Sequence, residues 1–223
     1  KLTQVKLGWR PAGHVHDFIA TQDHLIFFIP PVHLPANRLL NTLSGDAIYP
    51  LIKWKPSLGT EIIIVPIDDP DNVTRFKTDP FFVLHFANAY EDNGNIIVDY
   101  MHNADTYPYD QVATLHLSFP NKHYIAKSNK LMPDASVLKR ATINLNNKSI
   151  SFDTLWDKYC EFPKINPGLQ GSKYNIVYMA QLPKQTMLLG SPVFSQLVKL
   201  NISTGIYTVL EFGDEQYPLE PVF

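Results

Sequence analysis

The segment FFVLHFANAYEDNGNIIVDYMH, residues 81–102, carries the clearest structural signal in this chain. Two runs rich in apolar, aromatic and β-branched residues flank Asn93-Gly94, and such runs favour strands over helices. An Asn-Gly pair suits a two-residue hairpin turn, because both central residues of that turn need a positive φ. The segment therefore predicts a β-hairpin.

Similar signals recur at short intervals along the chain. Further strands or hairpins are predicted in FIATQDHLIFFI (18–29), TEIIIVPI (60–67), ATINLNNKSISF (141–152), YNIVYMAQ (174–181) and QLVKLNISTGIYTVLEF (196–212). The expected turns lie at Gln22-Asp23, Asn146-Asn147 and Ser203-Thr204-Gly205. Helical periodicity is scarce, and its best candidate covers Ser151 to Tyr159, with Pro163 beyond it. Many short strands joined by hairpins predict an all-β protein: a sandwich, a barrel or a propeller.

Composition excludes several classes of function. The 223 residues carry a net charge of −2 and no run of Lys or Arg, so nucleic-acid binding is not expected. The only cysteine, Cys160, rules out an internal disulfide and fits a reducing, cytoplasmic location. It has no histidine nearby in the sequence, which argues against a thiol nucleophile. No apolar stretch approaches the roughly 18 residues of a membrane-spanning helix.

Histidines are the main candidates for chemistry. His14 and His16 are two residues apart, so on a strand they would project from the same face. A cupin binds metal through such a pair but also needs a Glu shortly afterwards, and none follows here. His85 lies within an apolar run, where its ring nitrogens need partners. Either a metal with a supporting carboxylate or a hydrogen-bonded structural histidine satisfies that requirement.

Four separated blocks then resemble one family. They are HVHDFIAT (14–21), LHFANAYEDNG (84–94), EFPKINPGLQGSKYNIVY (161–178) and LVKLNISTG (197–205) followed by LEPVF (219–223). Their residues and their order resemble the carotenoid cleavage oxygenases, a family that also contains stilbene-cleaving dioxygenases and the retinoid isomerohydrolase. The resemblance extends along essentially the whole chain.

This resemblance implies a fold and a metal site. The family fold is a seven-bladed β-propeller with a non-haem Fe(II) on its axis, held by four histidines. Matching the blocks residue by residue makes His16 and His85 two of these ligands and gives His14 no ligand role. Glu161 and Glu220 match glutamates that accept ring N–H bonds from ligand histidines. Such a bond fixes the tautomer, so that the opposite ring nitrogen faces the metal.

The resemblance also implies an activity. Family members use Fe(II) and O2 to cleave a carbon–carbon double bond in a carotenoid, an apocarotenoid or a stilbenoid. Leu84 stands where the family commonly has Phe, which makes it a candidate for the substrate-lining wall. The run LIFFIPPVHLPANRLL (25–40) is either a peripheral membrane contact or a buried strand followed by a proline-rich loop. A rival interpretation is a catalytically inactive propeller that binds an apolar ligand or a partner protein.

We further expect residues 1–223 to be a single domain, the internal portion of such a propeller, incomplete at both ends. The family pattern places one ligand histidine upstream of the His16 block and another downstream of Glu220. The five histidines that match no block, His24, His33, His102, His116 and His123, are not expected to replace them. Alone, this piece is expected to hold no stoichiometric iron, to lack oxygenase activity and to aggregate through open sheet edges.

Overall fold

The computed structural model describes residues 15–33, 53–106, 136–182, 187–188, 191–192, 194–213 and 216–222. Within these residues the regular elements are β-strands and two single-turn 3-10 helices, Pro56–Leu58 and Pro167–Leu169. The all-β prediction is therefore confirmed. No helix in this described part of the chain is long and apolar enough to cross a membrane.

The first sheet is formed by the N-terminal strands. In chain order these are β1 (Ile19–Ala20), β2 (His24–Ile29), β3 (Val32–His33), β4 (Lys53–Trp54), β5 (Thr60–Pro66) and β6 (Thr74–Thr78). Strands β1, β2, β5 and β6 pair antiparallel in that order, while β3 pairs with β4 in a separate short ribbon. The predicted turn at Gln22-Asp23 joins β1 to β2, with Ile19 opposite Ile26.

The second sheet contains the predicted Asn-Gly hairpin. Its strands are β7 (Phe82–Asp92), β8 (Asn95–Asn103), β9 (Val137–Asn144) and β10 (Ser149–Trp156), and neighbours along the chain pair antiparallel. Asn93 and Gly94 have φ values of 51° and 76°, as the hairpin turn requires. The pairing of β7 with β8 is irregular between Val83 and Phe86, which leaves His85 within a bulge.

The helix expected at Ser151 to Tyr159 was a wrong prediction. Most of this segment is β10, which pairs residue by residue with β9, from Ser149 opposite Asn144 onwards. Strand β10 is the outer edge of its sheet and most of its residues are exposed. An edge strand with most of its side chains in water need not alternate apolar and polar residues, so its sequence period is a weak signal.

The third sheet follows the same plan. Its strands are β11 (Cys160–Lys164), β12 (Ile176–Gln181), β15 (Gln196–Asn201) and β16 (Tyr207–Glu211), antiparallel and in that order. A short ribbon of β13 (Met187–Leu188) and β14 (Ser191–Pro192) lies between β12 and β15 in the sequence. The predicted strand 174–181 and the turn around Ser203-Thr204-Gly205 are both confirmed.

The three sheets pack face to face, with the second in the middle. One apolar cluster joins the first sheet to the second and includes Ile26, Phe28, Ile62, Val98, Tyr100 and Ile143. Another joins the second to the third and includes Ile97, Met101, Leu138, Tyr174, Val177 and Met179. Because β8 is covered on both faces, its sequence is an almost continuous apolar run.

A charged group interrupts the second of these clusters. Asp99 of β8 is fully buried and accepts two hydrogen bonds from Arg140, each 2.8 Å long. The same carboxylate accepts a 2.7 Å bond from the hydroxyl of Tyr174, which lies just before β12 of the third sheet. Three four-stranded antiparallel sheets stacked in this way are successive blades of a propeller, here called blades 1, 2 and 3. The cupin alternative, which requires a two-sheet jelly roll, does not fit this arrangement.

Candidate metal centre on the inner strands

The first strand of each blade, here called its inner strand, lies at an edge of its sheet. The three inner strands are neighbours. Strand β1 contacts β7, and β7 contacts β11. His16 lies just before β1, His85 lies on β7, and Glu161 lies on β11. Three consecutive blades therefore each contribute one sequence-predicted residue to the same place.

Glu161 is the anchor of this group. Its carboxylate is almost fully buried, and Oε2 accepts a 2.7 Å hydrogen bond from Nδ1 of His85. Oε1 accepts a 2.9 Å bond from the hydroxyl of Ser136, which is itself buried in blade 2. Oε2 also accepts a 2.9 Å bond from the backbone N–H of Phe162. With both oxygens bonded, Glu161 holds the His85 ring in one orientation, with Nε2 as the nitrogen on its other side.

His16 and His85 face each other. Their ring centroids lie 5.1 Å apart and their planes are 84° from parallel, an edge-to-face contact. Two imidazoles bound to one ion at about 2.1 Å would have centroids on the order of 5 Å apart. The spacing of the rings and the hydrogen bond on Nδ1 of His85 therefore fit a shared metal ion.

The two histidines differ in their electrostatic environment. Desolvation lowers the pKa of His16 and the charge of nearby His85 lowers it further, so His16 favours the neutral form that binds metals. Desolvation would also lower the pKa of His85, but the hydrogen bond and the charge of Glu161 outweigh it, so the pKa is raised. The Glu161 carboxylate thus keeps a proton on the Nδ1 atom that it contacts.

Glu220 makes a different contact from the one expected. Its Oε1 lies 2.6 Å from Nζ of Lys164, and both side chains are about half exposed. The hydrogen bond from Lys164 lowers the pKa of Glu220, so the carboxylate is ionised at neutral pH. Its role as an acceptor for a ligand histidine stays a prediction. Lys164, on β11, is its partner here.

The other two sequence-based assignments concern His14 and Leu84. His14 lies outside the described residues. Leu84 is partly buried and packs against the small apolar cluster of Val32 and Phe82, together with Trp54. Its position beside His85 on the inner strand of blade 2 keeps it as a candidate for a substrate-lining wall.

The structure also brings in residues that sequence reasoning missed. Ser136 bonds to Glu161, and nothing in the sequence around it signals that contact. Phe162 has a φ of 57°, unusual for a non-glycine residue, and this turns its N–H onto the Glu161 carboxylate. The aromatic ring of Phe162 lies 5.3 Å from that of His85. Asp17 is a third missed residue, which accepts a hydrogen bond from the backbone N–H of Phe86. Its place directly after His16 in the first block is a signal that could have found it.

Among the residues that the structure describes, no group of three or more His, Cys, Asp and Glu side chains could hold a metal ion. Cys160, next to Glu161, is fully buried, and burial raises the pKa of its thiol well above the ordinary value. A protonated, buried thiol is a poor nucleophile.

Comparison with known proteins identifies the family. The family model described as retinal pigment epithelial membrane protein (RPE65) matches residues 1–223. Apocarotenoid-15,15′-oxygenase of Synechocystis sp. is 27% identical over 212 residues, which cover 94% of this chain and 39% of that protein. β,β-Carotene 15,15′-dioxygenase of Mus musculus is 26% identical over 235 residues, covering 95% of this chain and 40% of its own length.

The fold agrees with solved structures of the same group. A mutant of Synechocystis apocarotenoid oxygenase aligns with a TM-score of 0.75 at 24% identity, over 96% of this chain and 42% of that one. This chain therefore spans about two fifths of the length of the relatives it matches. Because the family model matches every residue from 1 to 223, the chain belongs to the retinal pigment epithelial membrane protein family, the carotenoid oxygenases.

Proposed function

We propose that the protein is a non-haem Fe(II) dioxygenase that uses O2 to cleave a carbon–carbon double bond of a carotenoid, an apocarotenoid or a stilbenoid, giving two carbonyl products. The observation that carries the proposal is that His16, just before β1, meets His85 on β7, which in turn bonds to Glu161 on β11. Family membership and the names of the relatives support the class of reaction. Because this chain spans about two fifths of the length of its relatives, the proposal concerns the whole protein.

His16 and His85 would hold the iron in this scheme. When bound, the iron supplies the oxygen chemistry that protein side chains cannot perform. Glu161 keeps the proton of His85 on Nδ1, which leaves Nε2 as the metal-binding nitrogen. Glu220 would do the same for another ligand histidine in the whole protein. Neutral imidazoles would hold the iron without a carboxylate among its ligands.

The surroundings of His85 suit a conjugated apolar substrate. Phe162 contacts the ring of His85, and the Phe194 ring lies 5.6 Å from that of Phe162. Tyr159 stacks on Phe194 at 5.7 Å with nearly parallel rings. These three aromatic rings form an apolar surface beside His85, and Leu84 adds an aliphatic surface on the same inner strand as His85.

The test is product analysis with the full-length protein. The protein is loaded with Fe(II) and incubated under O2 with a small panel of carotenoids, apocarotenoids and stilbenes, and the aldehydes are identified by mass spectrometry. His85→Ala serves as the matched control. Aldehydes formed by the wild type and not by the variant support the proposal. A wild-type protein that binds these compounds without iron and without cleavage would instead be the inactive, ligand-binding propeller.

A further inference from the structure

Asp17 connects the two histidines without being one of the predicted site residues. It directly follows His16 in the sequence, and its Oδ2 accepts a 3.2 Å hydrogen bond from the backbone N–H of Phe86. Phe86 directly follows His85. The other oxygen, Oδ1, accepts a 2.8 Å bond from the N–H of Phe18. One carboxylate therefore accepts bonds from backbone N–H groups close to both histidines. It bridges the boundary between blades 1 and 2.

The backbone at Phe86 explains why an acceptor is needed there. Strand β7 is the inner edge of its sheet, so it has a strand partner, β8, on one side only. Its pairing with β8 is also irregular on both sides of Phe86, between Val83 and Asn88. Phe86 is buried, and a buried N–H without an acceptor costs free energy. The Asp17 carboxylate supplies that acceptor from the neighbouring blade.

We infer that Asp17 is a positioning residue, which sets the separation of the His16 and His85 rings and so the shape of the metal centre. This inference rests on the proposed function. The carboxylate suits the task because its two oxygens accept from two different N–H groups at once. An asparagine has only one acceptor oxygen, so it would keep one of these bonds and lose the other.

A second contact between the same blades provides a matched control. Glu91, at the far end of β7, accepts a 2.7 Å bond from the Thr21 hydroxyl and a 3.0 Å bond from Nδ1 of His24. This contact joins blade 1 to blade 2 just as Asp17 does, but it contacts neither His16 nor His85. Loss of either contact should weaken the packing of the blades. Only the loss of Asp17 should change the metal centre.

The test measures binding of Co(II) alone, as a spectroscopic probe, to the full-length protein and to the variants Asp17→Ala, Asp17→Asn and Glu91→Gln. Asp17→Ala is expected to weaken Co(II) affinity roughly 10–100-fold and to alter the d–d absorption that reports the ligand geometry. The Co(II) affinity of Asp17→Asn should lie between that of Asp17→Ala and that of the wild type. Asp17→Asn carries the test if Asp17→Ala does not fold. Glu91→Gln should retain wild-type affinity and spectrum, even where its thermal stability falls.

The outcomes separate this inference from the proposed function. Wild-type affinity and an unchanged spectrum in the Asp17 variants would overturn the role of Asp17 alone. An equal loss in Glu91→Gln would also overturn it, because blade packing in general would then control the site. A wild-type protein that binds Co(II) no better than His85→Ala would overturn the metal centre itself, and the role of Asp17 with it.

Discussion

Nδ1 of His85 donates a 2.7 Å hydrogen bond to Oε2 of Glu161, although the two residues lie 76 positions apart and belong to different blades. The buried carboxylate accepts further bonds from Ser136 and from the backbone of Phe162. It cannot turn away from His85 without breaking them. The orientation of the His85 ring is therefore determined by blade 3 as well as by its own strand.

Glu161→Gln tests this relationship. The glutamine removes the negative charge and replaces one acceptor oxygen with an NH2 group that faces an existing donor. We expect iron affinity or turnover of the full-length protein to fall roughly 10–100-fold, the usual cost of losing such a partner. Metal titration and steady-state kinetics measure the effect, and unchanged values in both would remove Glu161 from the site.

The neighbouring histidines His14 and His16 should behave differently. His16→Ala removes one of the two facing rings and should abolish iron binding, measured by elemental analysis of the full-length protein. His14→Ala should be far milder, since the family resemblance gives His14 no ligand role. The circular dichroism spectrum checks that each variant keeps its β-structure. An equal loss of iron in the two variants would contradict the assignment of His16.

The ion pair between fully buried Asp99 and partly buried Arg140 should be important for stability. Asp99→Asn removes the charge that pairs with Arg140 and one of the oxygens that accept its hydrogen bonds. Because 23% of the Arg140 side chain is exposed, its unpaired charge is partly hydrated, and the free energy of unfolding is expected to fall by about 3 kcal/mol, the low end for a buried pair. Urea denaturation measures it.

A more exposed ion pair supplies the control for that experiment. Glu61 lies 3.3 Å from Arg75 at the edge of blade 1, and both side chains retain solvent contact. Glu61→Gln should cost less than about 1 kcal/mol, because solvent screens such pairs. If Asp99→Asn were no more damaging than this variant, the blade interface would not depend on Asp99.

His102 should make the protein sensitive to mild acid. Burial, together with the charge of Lys139, lowers the pKa of His102 to about 4. The folded protein therefore resists protonation of His102. The stability that neutral His102 contributes is complete above the unfolded pKa of 6.5 and is lost as the pH falls towards 4. A shift of this size corresponds to about 3 kcal/mol.

The variant His102→Gln isolates this contribution. Its side chain is uncharged over the whole range, so its free energy of unfolding should fall less between pH 7 and pH 4 than that of the wild type. Urea denaturation at several pH values measures both slopes. Identical slopes would show that His102 is protonated without cost in the folded protein.

Local signals in the sequence predicted much of the fold. The turn at Asn93-Gly94 and the apolar runs around it depend on φ preferences and on side chains within a few residues, which a sequence reveals directly. The same reasoning failed at Ser151 to Tyr159, since a mostly exposed edge strand is under little constraint to alternate apolar and polar residues. Family resemblance, rather than periodicity, selected His16, His85 and Glu161 from among many polar residues.

The sequence by itself determined that the chain is built of β-strands, where most of its hairpins turn, and which blocks carry the family's residues. The tertiary structure alone decided which of those residues meet. Glu161 reaches His85, and Asp17 reaches Phe86, only because the inner strands of successive blades lie side by side. Those contacts depend on how whole sheets pack against each other, and no short stretch of sequence encodes that distance. The positive φ of Phe162 is likewise held by surrounding contacts, and its residue type does not predict it.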